Sequence, residues 1–132
     1  MTPRVAKPAA LWIGVLLLAL AVAGWFGGPV IGPHGFIAAD RAMAVGHGIL
    51  GLYLLAMSLS GESTCAFALY SAAGVCVLFA AYGLFEFSGR DGAVLFNVTY
   101  ATTSSEYFHL GLGLTMAILA KLNTARKQLF RE

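Results

Sequence analysis

Charge is absent from long stretches of this chain and concentrated between them. No Asp, Glu, Lys or Arg occurs over residues 8–39, 42–61 or 63–85, and a shorter uncharged run covers 107–120. About 20 apolar residues cross the hydrocarbon core of a bilayer as a helix, and a helix satisfies its own backbone donors and acceptors there. The pattern predicts four transmembrane helices, over roughly 9–26, 42–60, 65–87 and 104–123, within one integral membrane domain spanning residues 1–132. Gly27, Gly28, Pro29, Gly32, Pro33 and Gly35 break regular structure after the first run and make an outer loop. Residues 61–64 leave room only for a tight turn between antiparallel helices. A second outer loop extends from Ser88 to about Thr103, where residues 93–96 could lie along the interface. Ser104 or Ser105 is the expected N-cap of the fourth helix, with Glu106 favourable in its first turn. The predicted fold class is all-α, a four-helix transmembrane bundle.

Composition agrees. The 132 residues are 59% hydrophobic and 11% charged, and mean hydropathy is +0.81. A soluble domain carries roughly 25% charged residues. The basic residues fall unevenly. Arg4, Lys7, Lys121, Arg126, Lys127 and Arg131 flank the bundle on the side of the two tails, against Arg41 and Arg90 in the outer loops. The positive-inside rule then places both termini in the cytoplasm. The basic tail is read as a topology signal touching lipid headgroups rather than as a nucleic-acid contact. Residues 21–23 (Ala-Val-Ala) resemble a signal-peptidase site. The apolar run continues past them through Trp25 and Phe26, so an uncleaved first span is expected. Cys65 and Cys76 lack metal-ligand spacing and read as small packing residues.

The two halves look alike. His47-Gly48-Ile49-Leu50-Gly51-Leu52 opens the second helix, and His109-Leu110-Gly111-Leu112-Gly113-Leu114 opens the fourth. Gly24-Trp25-Phe26 ends the first and Gly83-Leu84-Phe85 the third. The expectation is two tandem helical hairpins forming a parallel repeat, related by an axis along the membrane normal.

His47 and His109 are the titratable groups expected inside the spans, at similar depth. Two facing imidazoles could ligate the iron of a haem b from both sides, with Gly51 and Gly113 letting a flat macrocycle approach the backbone. A bacteriochlorophyll would need one of them. The ordinary reading is hydrogen bonding between helices, with glycine at +4 serving close packing. A proton or metal role is the third reading. Glu106 and His109 form an E-x-x-H pair on one helical face, but Ala44 occupies the matching place in the first half, so a di-iron site lacks its second pair. A solvated cap link is expected instead. His34, Asp40, Glu86 and Asp91 are candidates for an outer metal site.

The segment Phe96-Asn97-Val98, then Glu106-Tyr107-Phe108-His109-Leu110-Gly111-Leu112-Gly113, resembles the end of an uncharacterised family of small bacterial four-helix integral membrane proteins. Its pattern there is an Asn in the last outer loop, an acidic residue, an aromatic, then His-Leu-x-Leu-Gly. The run after His47 is similar to that family's second helix. This chain departs from the pattern in carrying residues 100–105 where the family has a shorter connection. The resemblance implies a bacterial inner-membrane location and no known activity. Two function classes follow. One is a non-enzymatic multi-pass membrane protein, free-standing or an accessory or structural subunit of a membrane complex, with no cofactor, whose partners are the lipid bilayer and other membrane subunits or further copies of itself. The other is a haem-binding electron-transfer subunit using His47 and His109.

Overall fold

The computed structural model describes residues 4–87 and 90–129. The chain is mostly helical, with α1 Ala6–Phe26, α2 Arg41–Ser58, α3 Glu62–Phe87 and α4 Thr103–Leu129. Three of these, α1, α2 and α3, are long and apolar enough to cross a membrane. Of the expected loop and tail features, Ser88, Gly89 and the side chains of Arg126, Lys127 and Arg131 lie outside the described residues.

Each boundary has a local cause. Glycine ends α1, where Gly27 takes φ +77° and its N–H bonds to the Ala23 carbonyl. The start of α1 is capped from another helix: Glu62 Oε2 accepts from the backbone N–H groups of Ala6 (3.1 Å) and Lys7 (3.2 Å). These donors have no partner within their own helix. Asp40 caps α2 by accepting from Met43 N at 2.9 Å. Thr102 caps α4 in a reciprocal capping box. Its Oγ1 accepts from Ser105 N at 3.3 Å, and Ser105 Oγ accepts from Thr102 N at 2.9 Å. The cap is therefore neither Ser104 nor Ser105, because the helix begins earlier than the apolar pattern does.

The chain pairs α1 with α2 and α3 with α4 along their lengths, and α3 also touches α1 and α2. Small side chains make this possible. Ala10, Ala68, Ala72 and Ala120 are fully buried around Leu17, Leu54, Leu69 and Met116. The α1–α2 crossing brings backbone against backbone. A Cβ added to Gly14 would stand 3.0 Å from the Gly51 carbonyl oxygen, and one added to Gly51 would stand 2.9 Å from that of Gly14. Tyr53 and Ser71 join α2 to α3 through their hydroxyls at 2.9 Å.

The all-α expectation needs correction at one end. The connection between α1 and α2 contains a parallel pair, β1 Ile31–Gly32 with β2 Ile37–Ala38, and that between α3 and α4 an antiparallel hairpin, β3 Gly92–Leu95 with β4 Thr99–Thr102. Phe96 and Asn97, both at φ 54°, turn the hairpin, the backbone handedness that a tight hairpin turn favours. Asp40 fastens it to the helices: Thr99 Oγ1 donates to Oδ1 at 2.8 Å and Tyr100 N to Oδ2 at 2.9 Å. The Ser104 hydroxyl donates to the Phe36 carbonyl, so the α1–α2 and α3–α4 connections form one cap over the bundle. Burial of Asp40 opposes its charged form, but the bonds from Met43, Tyr100, Thr99 and Ala42 outweigh this and hold its pKa below the ordinary aspartate value.

Candidate functional site

His47 and His109 each lie six residues past the first residue of their helix, a rise of about 9 Å. The structure brings them together. Their Nε2 atoms are 3.1 Å apart, the rings tilted by 43°, and this contact joins α2 to α4. Both residues are buried, 4% and 3% exposed. Phe79 and Phe108 stand edge-on to the His109 ring, with centroids at 5.7 and 5.8 Å. Only one of the two facing nitrogens can carry the shared hydrogen, so one imidazole donates and the other accepts.

Glu106 stands behind His109. Its Oε1 lies 3.4 Å from His109 Nδ1, and its side chain is 0% exposed. The expected solvated cap link is therefore wrong in placement. One helical turn aligns Glu106 with His109, which points into the bundle, and Gly83 on α3 leaves the niche that the carboxyl fills. A Cβ on Gly83 would meet Glu106 Cγ and Cδ at 2.8 Å. Neither carboxylate oxygen is hydrogen-bonded, and neither is Nδ1 of His47 or His109. Buried polar groups left so are uncommon and costly.

Gly51 and Gly113 do not share the histidines' surroundings. Gly51 faces Gly14 and Leu18 of α1; a Cβ on Gly113 would meet Val77 Cγ2 at 2.8 Å and the Ala73 carbonyl at 3.1 Å, both on α3. They admit neighbouring helices, and no macrocycle has space there. The histidine geometry also does not fit a haem held from both sides. Metal–imidazole bonds of about 2 Å on opposite faces need nitrogens about 4 Å apart with the macrocycle between them. Here the imidazoles touch. The outer metal candidates do not converge either. His34 packs edge-on against Tyr100 with centroids at 5.3 Å, and Asp40 is committed to the hairpin. Among the described residues no three His, Cys, Asp or Glu side chains are placed to hold a metal ion. Cys65 and Cys76 are free and buried.

Beside the histidines lies a cavity of about 510 Å³ between α2 and α3, below the β3–β4 turn. His47 and His109 supply most of its polar character; Ile49, Val75, Phe79 and Phe96 line much of the rest. Ile49 on α2, Val75 on α3 and Phe96 in the β3–β4 turn are themselves exposed, so the cavity is open to the outside.

Three features of this site escaped the sequence. Asp40 immediately before α2 is an N-cap signal, and Thr102-x-x-Ser105 has capping-box spacing. Nothing local marks Gly83 as a niche, because its partner lies on another helix. No protein-family model, curated protein or solved structure matches this chain.

Proposed function

We propose that this chain is a non-enzymatic multi-pass protein of the bacterial inner membrane, with four spans and both termini in the cytoplasm. It acts as a structural or accessory component, free-standing or within a membrane complex. The observation that carries this reading is the outward face of the three long apolar helices. Trp12, Leu78 and Phe85 are 68%, 72% and 78% exposed, with Val22, Leu52 and Phe67 also uncovered. A soluble monomer rarely exposes such contiguous apolar area, whereas lipid covers it at no cost. The fourth helix packs along α3, which carries its apolar stretch 107–120 through the same layer. The six-to-two distribution of basic residues supports the orientation, and the resemblance to small bacterial four-helix proteins supports the location.

A tandem parallel repeat belongs to the same reading. Its support is a set of corresponding contacts. Gly51 meets the backbone oxygen of Gly14, and Gly113 meets that of Ala73; Gly24 faces Ala44, and Gly83 faces Glu106. His47 and His109 then meet across the pseudo-axis. The test is membrane fractionation with a C-terminal reporter. Retention in the membrane at alkaline pH and an active cytoplasmic reporter are expected. Release by carbonate, or alkaline phosphatase activity at the C-terminus, would overturn the reading.

A further inference from the structure

We propose that the groove between α1 and α2, at the capped end of the bundle, binds an anionic phospholipid, with Arg41 holding the phosphate and the groove taking one acyl chain. The proposal rests on the membrane reading above, though not on which way the chain faces. Ala21, Val22, Trp25 and Phe26 of α1 and Ala44 and Val45 of α2 line a depression of about 260 Å³. A pocket enclosing a whole small molecule has roughly 300–1,000 Å³. The lining is apolar, and Val22, Trp25, Phe26 and Val45 are exposed. The groove therefore suits the upper stretch of one acyl chain and leaves the headgroup to bind elsewhere.

The charged contact stands at the top of the groove. Arg41 is the first residue of α2, three before Ala44, a rise of about 4.5 Å. It is exposed, and its guanidinium carbon lies over the Trp25 ring, 5.5 Å from the centroid. The ring that meets the guanidinium is thus the one that lines the groove. A guanidinium set on an aromatic ring keeps its N–H groups free, and these can meet a phosphate in two parallel bonds. The two arginines at this end differ. Arg90 directs its N–H groups at the carbonyls of Phe87 and Glu86. Arg41 has no hydrogen bond or carboxylate partner among the described residues; its contact is the ring.

The neighbouring carboxylate decides the charge of the headgroup. Asp40 precedes Arg41, but its oxygens accept from Met43 N, Thr99 Oγ1 and Tyr100 N. It is committed to the α2 backbone and the hairpin, so it does not receive the ammonium of a zwitterionic headgroup. An uncommitted cation beside a committed carboxylate favours a lipid of net negative charge. A second copy of the chain would cover the groove with apolar side chains and leave the guanidinium unmet. A phospholipid answers both parts, the groove with its chain and Arg41 with its phosphate.

The chain has two tryptophans, so in a Trp12→Phe background fluorescence reports Trp25 alone. The full chain in that background is reconstituted in phosphatidylcholine vesicles. The probe is phosphatidylglycerol brominated near the top of one acyl chain, and the control is phosphatidylcholine brominated in the same place. Phosphatidylglycerol should half-quench Trp25 at about one fifth of the mole fraction that phosphatidylcholine needs, the worth of one arginine at an anionic lipid. Arg41→Gln should remove this preference. Arg41→Lys should keep only part of it, because an ammonium cannot bond through a planar fork. Val45→Phe, at an exposed position in the groove wall, should fill the groove and weaken quenching by phosphatidylglycerol, with helical content and thermal midpoint unchanged. Equal quenching by the two lipids would overturn the proposal, as would a preference that survives Arg41→Gln. A preference undiminished by both Arg41→Lys and Val45→Phe would overturn it too, since general attraction to a positive charge then explains it. Quenching by neither lipid would mean that protein covers the groove, which also overturns it. A chain that stays in the membrane at alkaline pH yet shows no preference sinks this inference alone; a chain released by carbonate sinks the membrane reading.

Discussion

Replacing Gly51 with alanine tests whether close backbone contact holds α1 against α2. The new Cβ would stand 2.9 Å from the Gly14 carbonyl oxygen, 3.1 Å from Leu18 Cγ and 3.1 Å from Leu18 N. Optimal contacts between non-bonded carbons lie at about 3.5–4.0 Å. Two of these three atoms are backbone, so no side-chain rotation relieves the clash and the helices must separate by about half an ångström. A gap of roughly 0.5–1 Å forfeits a quarter to a half of each contact it opens. In lipid, packing of this kind is a main source of helix association. Overpacking of this type costs about 1–3 kcal/mol. Alanine returns about 1 kcal/mol of helix propensity, leaving a net loss of up to about 2 kcal/mol.

The controls come from the other two helices. Gly74 and Gly111 have nothing within 4 Å of an added Cβ, so Gly74→Ala and Gly111→Ala should be neutral or stabilising by up to about 1 kcal/mol. Gly113→Ala should fall between, because its closest neighbour is the end of the Val77 side chain at 2.8 Å, which can rotate, although the Ala73 carbonyl at 3.1 Å cannot. Equilibrium unfolding in mixed micelles, followed by circular dichroism, reads the order. If Gly51→Ala matches Gly111→Ala in stability, close approach does not hold the pair and the reasoning fails.

Asp40 should give the bundle an acid limb. Its folded pKa is depressed, so its contribution is complete above the unfolded value of about 3.9 and fades as pH falls through the lower folded value; Asp40→Ala should cost about 0.5–2 kcal/mol at neutral pH, as lost helix caps do, and should flatten stability below about pH 4. His47→Ala should destabilise by about 1–3 kcal/mol, because His109 Nε2 is left buried and unpaired; the double variant with His109→Ala should cost less than the sum in a thermodynamic cycle. Gly83→Ala should destabilise by about 1–3 kcal/mol through the clash with Glu106, and Glu106→Ala should remove most of that cost; additive effects in micelle unfolding would show that the two do not touch. Intact-mass measurement should find the first helix still attached, since Ala10, Leu17 and Leu20 of α1 belong to the buried core; loss of residues through Ala23 would refute this.

The helices were legible because charge marks their limits. The uncharged runs over 42–61 and 63–85 correspond to α2 and α3 within a few residues, and the error is systematic. Helices α1, α3 and α4 extend past the apolar runs because Lys7, Glu62, Thr103 and the polar segment beyond Lys121 are also helical. Apolar periodicity cannot see a turn of helix built from polar residues. The small sheets were illegible for another reason. Their strands run two to four residues, too short for alternation to register, and they depend on Asp40 and Ser104, which reach them from distant sequence. The histidines could be chosen from the sequence, because ionisable groups within apolar runs are rare. Their direct contact could not, since it depends on how the two hairpins pack. The glycines four residues on mark close helix packing, and the structure has them against neighbouring helices; which helix each meets is not written in the spacing, because one turn of helix does not fix which face a residue presents.

The place where the halves differ carries the argument about function further than the places where they agree. On the proposed duplication, Gly24 and Gly83 correspond, and so do Ala44 and Glu106. In the first half a small residue suffices opposite the glycine: a Cβ on Gly24 would be 3.4 Å from that of Ala44. The second half holds a carboxyl in that position, fully buried and without a hydrogen bond. In the first half Ala39, whose Cβ would stand 2.9 Å from one on Gly24, closes the gap together with Ala44, so small residues fill the corresponding place there. Stability does not favour it, since a buried carboxyl without full partners is a net cost. The Glu106 carboxyl stands 3.4 Å from His109 Nδ1 without hydrogen-bonding to it, and the other nitrogen of that imidazole touches His47. His47 in turn lines the cavity between α2 and α3. The departure from the proposed symmetry thus lies against the buried histidine pair, the one place among the described residues where polar side chains of α2 and α4 meet.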